Sequence, residues 1–264
     1  MKRLILILLA LFMTPMLISC AEESAEESDV TVTKSERTYL EDSEDRFTVY
    51  TFDTDVEGPT FFIIGGIHGD ERAGWMAAQE MLTHDFRRGT VHILPIANRL
   101  ATVQDPPRRN APGRADLNRA FPGDADGSAL DRLAHALFAV IAQKEPDIVL
   151  DLHESLESYT EGRVGDSIVL HDSSHSLYGL SVIETFNALP LMEGRTPFTN
   201  LNAPPQGSIN RTFTETYGVP VFTIETNRDT ATFRIDDEGV PLSVRIEQQV
   251  ELIKIFLDTF MFEE

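Results

Sequence analysis

Phe61-Phe62-Ile63-Ile64-Gly65-Gly66-Ile67-His68-Gly69-Asp70-Glu71 joins a strand-like run to the start of a helix-like one. The apolar run Phe61–Ile64 gives way, through two glycines, to a helix-like pattern from Arg72 to Leu82. A strand end followed by the first turn of a helix is where α/β proteins build their sites. His68 and Glu71 lie three apart there, so both can point at one ion, and imidazole nitrogen with carboxylate oxygen suits zinc. His153 closes another apolar run, Ile148-Val149-Leu150-Asp151-Leu152, and is the third ligand candidate. Two nitrogens and one carboxylate leave a coordination position for water, the catalytic rather than the structural arrangement. An HxxE pair alone also arises by chance, so its weight depends on the rest of the chain.

Working outward, strand-like runs recur at Phe47–Phe52, Thr60–Ile64, Thr90–Ile96, Ile148–His153, Ser167–His171 and Val219–Glu225. Helix-like runs alternate with them at Arg72–Phe86, Ser128–Lys144, Ser176–Ala188 and Ser208–Tyr217, with a last helix starting near Pro241. The alternation predicts one α/β domain: a central mixed, mostly parallel sheet with helices on both faces. Residues 98–127 lack periodicity and are rich in Pro, Arg, Asn and Asp, and a loop that long in a compact domain is usually functional.

The amino terminus reads as a leader. Lys2 and Arg3 precede the apolar run Leu4–Met13, and Leu17-Ile18-Ser19-Cys20 closes it. This resembles a bacterial lipoprotein lipobox, which implies a signal peptide over 1–19 and a lipidated Cys20, a membrane anchor on the extracytoplasmic side. Residues 21–46 hold ten acidic residues against three basic ones, so 20–46 reads as a solvated tether and 47–264 as the folded domain. About 220 residues suit one sizeable core. Cys20 is the chain's single cysteine, so no internal disulfide is expected. A formal charge of −21 argues against nucleic acid as a partner.

HGDE at 68–71, DLNRAFPG at 116–123, DLH at 151–153 and a strand ending Thr223-Ile224-Glu225 together resemble the zinc carboxypeptidase superfamily. The likeness is nearest to the short bacterial murein-peptide carboxypeptidases and amidases and to the succinylglutamate desuccinylase/aspartoacylase branch. It implies one zinc ion held by His68, Glu71 and His153, with Asp116 orienting the first histidine. It also implies that Asn118 and Arg119 grip a substrate carboxylate and that Glu225 is the general base. Arg108, Arg109 and Arg114 compete for the oxyanion role, and Arg108 fits the family spacing before DLNR. Gly207-Ser208 weakly matches a substrate-loop Gly-Ser.

The implied function is zinc-dependent amide hydrolysis. A metallocarboxypeptidase acting on short peptides, murein peptides among them, is the first reading and an N-acyl amino acid deacylase the second. The 39 residues after Glu225 leave no room for the extra β domain common in the deacylase branch, which tilts the reading toward peptidases. A non-catalytic binding lipoprotein is the rival of another class, and it would be marked by loss of the base or a ligand. His171 and His175, four apart, are a weaker metal pair, while His84, His92 and His135 read as ordinary, partly exposed histidines.

Overall fold

The computed structural model describes residues 30–156, 164–171, 173–228 and 239–260. The signal-peptide and Cys20 readings lie outside them. Eight strands form one sheet: β1 (Val32–Tyr39), β2 (Phe47–Thr54), β3 (Thr60–Gly65), β4 (Thr90–Leu94), β5 (Ile148–Ser155), β6 (Ser167–Leu170), β7 (Thr199–Leu201) and β8 (Val221–Asn227). Their order is β1-β2-β4-β3-β5-β8-β6-β7. The centre, β4-β3-β5-β8, is parallel, and antiparallel pairings join β1 to β2, β2 to β4 and β6 to β8. The helices are α1 (Arg72–Glu80), α2 (Arg99–Thr102), α3 (Ala129–Gln143), α4 (Ser176–Asn187), α5 (Ile209–Tyr217) and α6 (Leu242–Thr259).

Strand alternation sorts the core into two layers. In β3, Phe61 and Ile63 face the layer built with α1, α4 and α6, where Ala77, Met81, Val182, Phe186, Ile253 and Phe256 are buried. Phe62 and Ile64 face the other way, onto Leu133, Leu137 and Ile141 of α3 and Phe213 of α5. Each such large side chain, fully buried, contributes about 1.5–3 kcal/mol. Every residue of β5 is buried, as expected for a central parallel strand covered on both faces. Helix α3 starts where its sequence dictates: Ser128 and Asp131 exchange side-chain and backbone hydrogen bonds in a capping box.

The fold begins earlier than the boundary at 47. Val32–Tyr39 pairs along its whole length with Phe47–Thr54, so residues 32–39 of the expected tether are an edge strand. Its exposed Lys34, Glu36 and Arg37 gave it the composition of a solvated linker, yet charges are what protect an edge strand from pairing further. His92 is also not an exposed histidine. It is 5% exposed in β4, and its Nδ1 lies 2.8 Å from the Thr51 hydroxyl across the β2–β4 pair.

Burial, with Lys144 adding to it, lowers the His92 pKa from 6.5 to about 4. The unfolded chain therefore binds a proton between pH 6.5 and 4 that the folded one refuses, and stability falls as pH drops through that window. Unfolding in denaturant at pH 7 and pH 4 should show the wild type losing up to about 3 kcal/mol more than His92→Gln. Equal losses would show that folding does not lower the His92 pKa.

Candidate metal centre

The site sits where the carboxyl ends of β3, β5 and β8 meet. One face of β5 runs Val149, Asp151, His153, and the paired face of β8 runs Val221, Thr223, Glu225, residue opposite residue. Val149 and Val221 belong to the apolar layer under α3 and α5, so two steps along each strand the same face turns from core to chemistry. From β3 the chain turns at Gly66, whose φ of +69° favours glycine, and delivers His68 and Glu71 just before α1. The Trp75 indole on α1 donates to the Gly69 carbonyl at 3.1 Å and braces that turn.

His68 Nδ1 lies 2.8 Å from Glu71 Oε1 and 3.1 Å from His153 Nδ1, and His153 Nδ1 lies 2.6 Å from Glu71 Oε2. Behind this triangle, His68 Nε2 is 2.9 Å from Asp116 Oδ1, and His153 Nε2 is 3.1 Å from Asp151 Oδ1. Carboxylates beside both Nε2 atoms favour protons there, which leaves two Nδ1 lone pairs and the Glu71 carboxylate converging on one point. Such a donor set fits a divalent cation. The ligand atoms all lie within 4.8 Å of one another, and among the described residues no other His, Cys, Asp and Glu group does this.

The charge balance says the same. Burial opposes the positive charge on both histidines, yet Glu71 and Asp116 raise the His68 pKa, and Asp151 and Glu71 raise that of His153 well above its ordinary value. Burial likewise opposes ionisation of Glu71 and Asp116, and the histidines hold both well below the usual carboxylate range. Two buried carboxylates, Glu71 and Asp151, and the partly exposed Asp116 thus call for positive charge, from protons or from a metal ion that displaces them.

A cavity of about 700 Å³ opens over the triangle, lined among others by Arg109, Asn118, Arg119, Ser208 and Glu225. Burial first, with Glu71 adding to it and His153 opposing, pushes the Glu225 carboxyl up to about 7. Glu225 does not end its strand, which continues to Asn227. Asn118 is fixed by the Ile209 N–H, which donates to its Oδ1 at 3.0 Å. Arg119 Nη1 donates to the Asn118 carbonyl at 2.6 Å. Gly207 packs so closely on the Arg119 backbone that a Cβ would come within 2.4 Å of its carbonyl oxygen, so Gly207-Ser208 does belong to the site.

Arg108 does not. Its side chain is exposed, and its neighbour Arg109 lines the cavity instead, 2.8 Å from Glu71 Oε1 and 3.3 Å from Asp116 Oδ2. The irregular backbone of 98–116 decides which arginine turns inward, and spacing carries no trace of that. Arg114 is occupied by Asp45 at 2.5 Å. His171 pairs with Glu215 at 3.2 Å, and among the described residues it joins no group of three metal-ligating side chains with His175. Asp151, unremarked in the sequence, was legible by the two-residue period of DLH.

Comparison with known proteins agrees with this geometry. The sequence profile described as succinylglutamate desuccinylase/aspartoacylase catalytic domain matches residues 57–237. The chain belongs to that family. An N-alpha-acetyl-L-2,4-diaminobutyric acid deacetylase of Halomonas elongata is 35% identical over 136 residues, covering 50% of this chain and 39% of the relative. The chain thus matches well under half the length of that curated relative. Among solved structures, an aspartoacylase family protein of Mesorhizobium loti matches with TM-score 0.59 and 24% identity, covering 86% of this chain and 69% of that one. The cell shape determinant protein Csd4 of Helicobacter pylori matches with TM-score 0.64 and 19% identity, covering 86% and 54%. A further structure of Csd4 describes it as a D,L-carboxypeptidase in mDAP-bound form. These structural likenesses show the fold, an α/β domain of the carboxypeptidase kind.

If Asp151 orients His153 as its position indicates, Asp151→Asn should weaken zinc binding about ten- to a hundredfold in competition with a chelator. An unchanged affinity would remove Asp151 from the site.

Proposed function

We propose that this chain is a zinc-dependent amide hydrolase for small substrates that carry a carboxylate beside the scissile bond. The observation that carries this reading is the convergence of the His68–Glu71–His153 triangle, Glu225 and two arginines on one cavity. Zinc, when bound, would supply Lewis acidity and make water a nucleophile near neutral pH. Glu225 accepts a proton from the attacking water and returns it to the departing nitrogen as the C–N bond breaks, leaving a carboxylate and an amine. Arg109 stands where a guanidinium can stabilise negative charge on the carbonyl oxygen. Asn118 and Arg119 hold the substrate carboxylate and set which bond faces the metal.

The family match supports a small N-acylated amino acid as substrate, which reverses the order of the two substrate classes drawn from the sequence. The match covers the catalytic domain alone, so the length of chain after Glu225 does not decide between the two. A peptide substrate is the second reading, favoured by the size of the cavity, about 700 Å³. We propose also that Cys20 carries a lipid that holds the chain to a membrane outside the cytoplasm, a reading supported by the Leu17–Cys20 sequence. Cys20→Ala should leave the membrane fraction, and its retention there would contradict the anchor.

Zinc-loaded protein assayed on N-acyl amino acids, murein peptides and ordinary peptides separates the readings: free acyl acid supports the deacylase, a released terminal residue the carboxypeptidase. Glu225→Gln should lower kcat at least a thousandfold, on the order expected for loss of a general base, and keep its zinc. Because the base must be ionised, activity is lost as pH falls through its pKa; a bound cation lowers the metal-free value of about 7, so the acid limb of kcat/KM lies at or below it. Zinc-loaded Glu225→Gln with near-wild-type turnover would refute the catalytic assignment.

A further inference from the structure

We propose that α6 is the outer support of the metal centre, with Arg245 and Gln249 acting through Glu154 and the His153 backbone as positioning residues. This rests on the metal reading above and extends it to a helix that none of the site motifs includes. Strand β5 outruns its neighbour: Gly65, the last paired residue of β3, stands opposite Leu152, so residues 153–155 have lost the strand on that side. Side chains answer the overhang. The Glu154 N–H donates to Glu71 Oε2 at 3.1 Å, and Glu154 Oε2 accepts from the Ala73 N–H at 2.9 Å. Glu71 and Glu154 thereby clasp each other's chains, the ligand loop with its helix on one side and the ligand strand on the other.

Alternation turns the Glu154 side chain away from His153, toward α1 and α6. There its Oε1 is hydrogen-bonded to the Arg245 guanidinium. Four residues on, and so on the same face of α6, Gln249 Nε2 donates to the His153 carbonyl at 2.7 Å and lies 3.2 Å from the Thr226 hydroxyl. Arg245 is 4% exposed and Gln249 not exposed at all, an expensive place for polar groups on a helix whose neighbours Leu252, Ile253 and Phe256 form core. A second ionic contact, Arg228 to Asp70 at 3.5 Å, ties the end of β8 to the ligand loop on the same side. The polar face of α6 is thus spent on the backbone of one ligand and on the clasp of another.

The test uses zinc affinity by chelator competition and the visible spectrum of the cobalt-substituted protein, on the whole chain. Gln249→Met removes the donor at nearly constant volume, and Glu154→Ala opens the clasp. Val182→Ala, a core change in α4, serves as a control that lowers stability without touching the site. The expected result is zinc binding about ten- to a hundredfold weaker for Gln249→Met and Glu154→Ala, with altered cobalt bands. Val182→Ala should bind as the wild type does, and Arg245→Met, which leaves the Glu154 carboxylate without its partner, should weaken zinc as Glu154→Ala does. Wild-type affinity and spectrum in Gln249→Met would overturn the proposal, whether or not Glu154→Ala folds. A wild type that takes up no zinc would overturn the metal reading and this inference together, whereas a zinc-binding wild type with indifferent variants overturns the inference alone.

Discussion

Buried negative charge at the open end of the sheet is the constraint on which the rest depends. Buried Glu71 and Asp151, with the partly exposed Asp116, surround two buried imidazoles, and such a group is costly to assemble unless positive charge arrives with it. The raised pKa values of His68 and His153 are the metal-free answer to that imbalance, and a divalent cation is the other. The core layers supply the stability that lets the unfavourable cluster exist, and the cluster could in turn hold a cation.

The fold delivers the cluster through a change of character along single strand faces. Val149 and Val221 pack into the apolar layer, and Asp151–His153 and Thr223–Glu225 continue the same faces into the cavity. Central strands carry His153 and Glu225, while the loop holding His68 and Glu71 is fixed by Gly66 and Trp75 and the arginine loop by Asp116, which caps its own turn through the Asn118 N–H at 2.8 Å. Arg109 comes instead from the irregular stretch between α2 and Leu117, held in place by Glu71 and Asp116.

What could be read in the sequence follows the same division. The central strands, α3, α4, α5 and α6 were legible to within a few residues because their periodicity and caps are local properties. So were His68, Glu71, His153, Asp116, Asn118, Arg119 and Glu225, which sit at fixed positions relative to strand and loop motifs, and the structure brings them together. Strand β1 was hidden because an edge strand guarded by charges has the composition of a linker. The exchange of Arg108 for Arg109 was hidden because side-chain direction in an aperiodic loop depends on tertiary contacts, here with Glu71 and Asp116. The buried polar face of α6 was hidden too, since Arg and Gln on a helix read as solvent-facing until their partners are placed.

The most direct test is a zinc-edge anomalous difference map from crystals grown with zinc. The account expects one strong peak about 2.0–2.2 Å from His68 Nδ1, His153 Nδ1 and a Glu71 oxygen, with both Nε2 atoms still on their aspartates. A map with no peak there, or with zinc bound through Nε2 or at other residues, would contradict it.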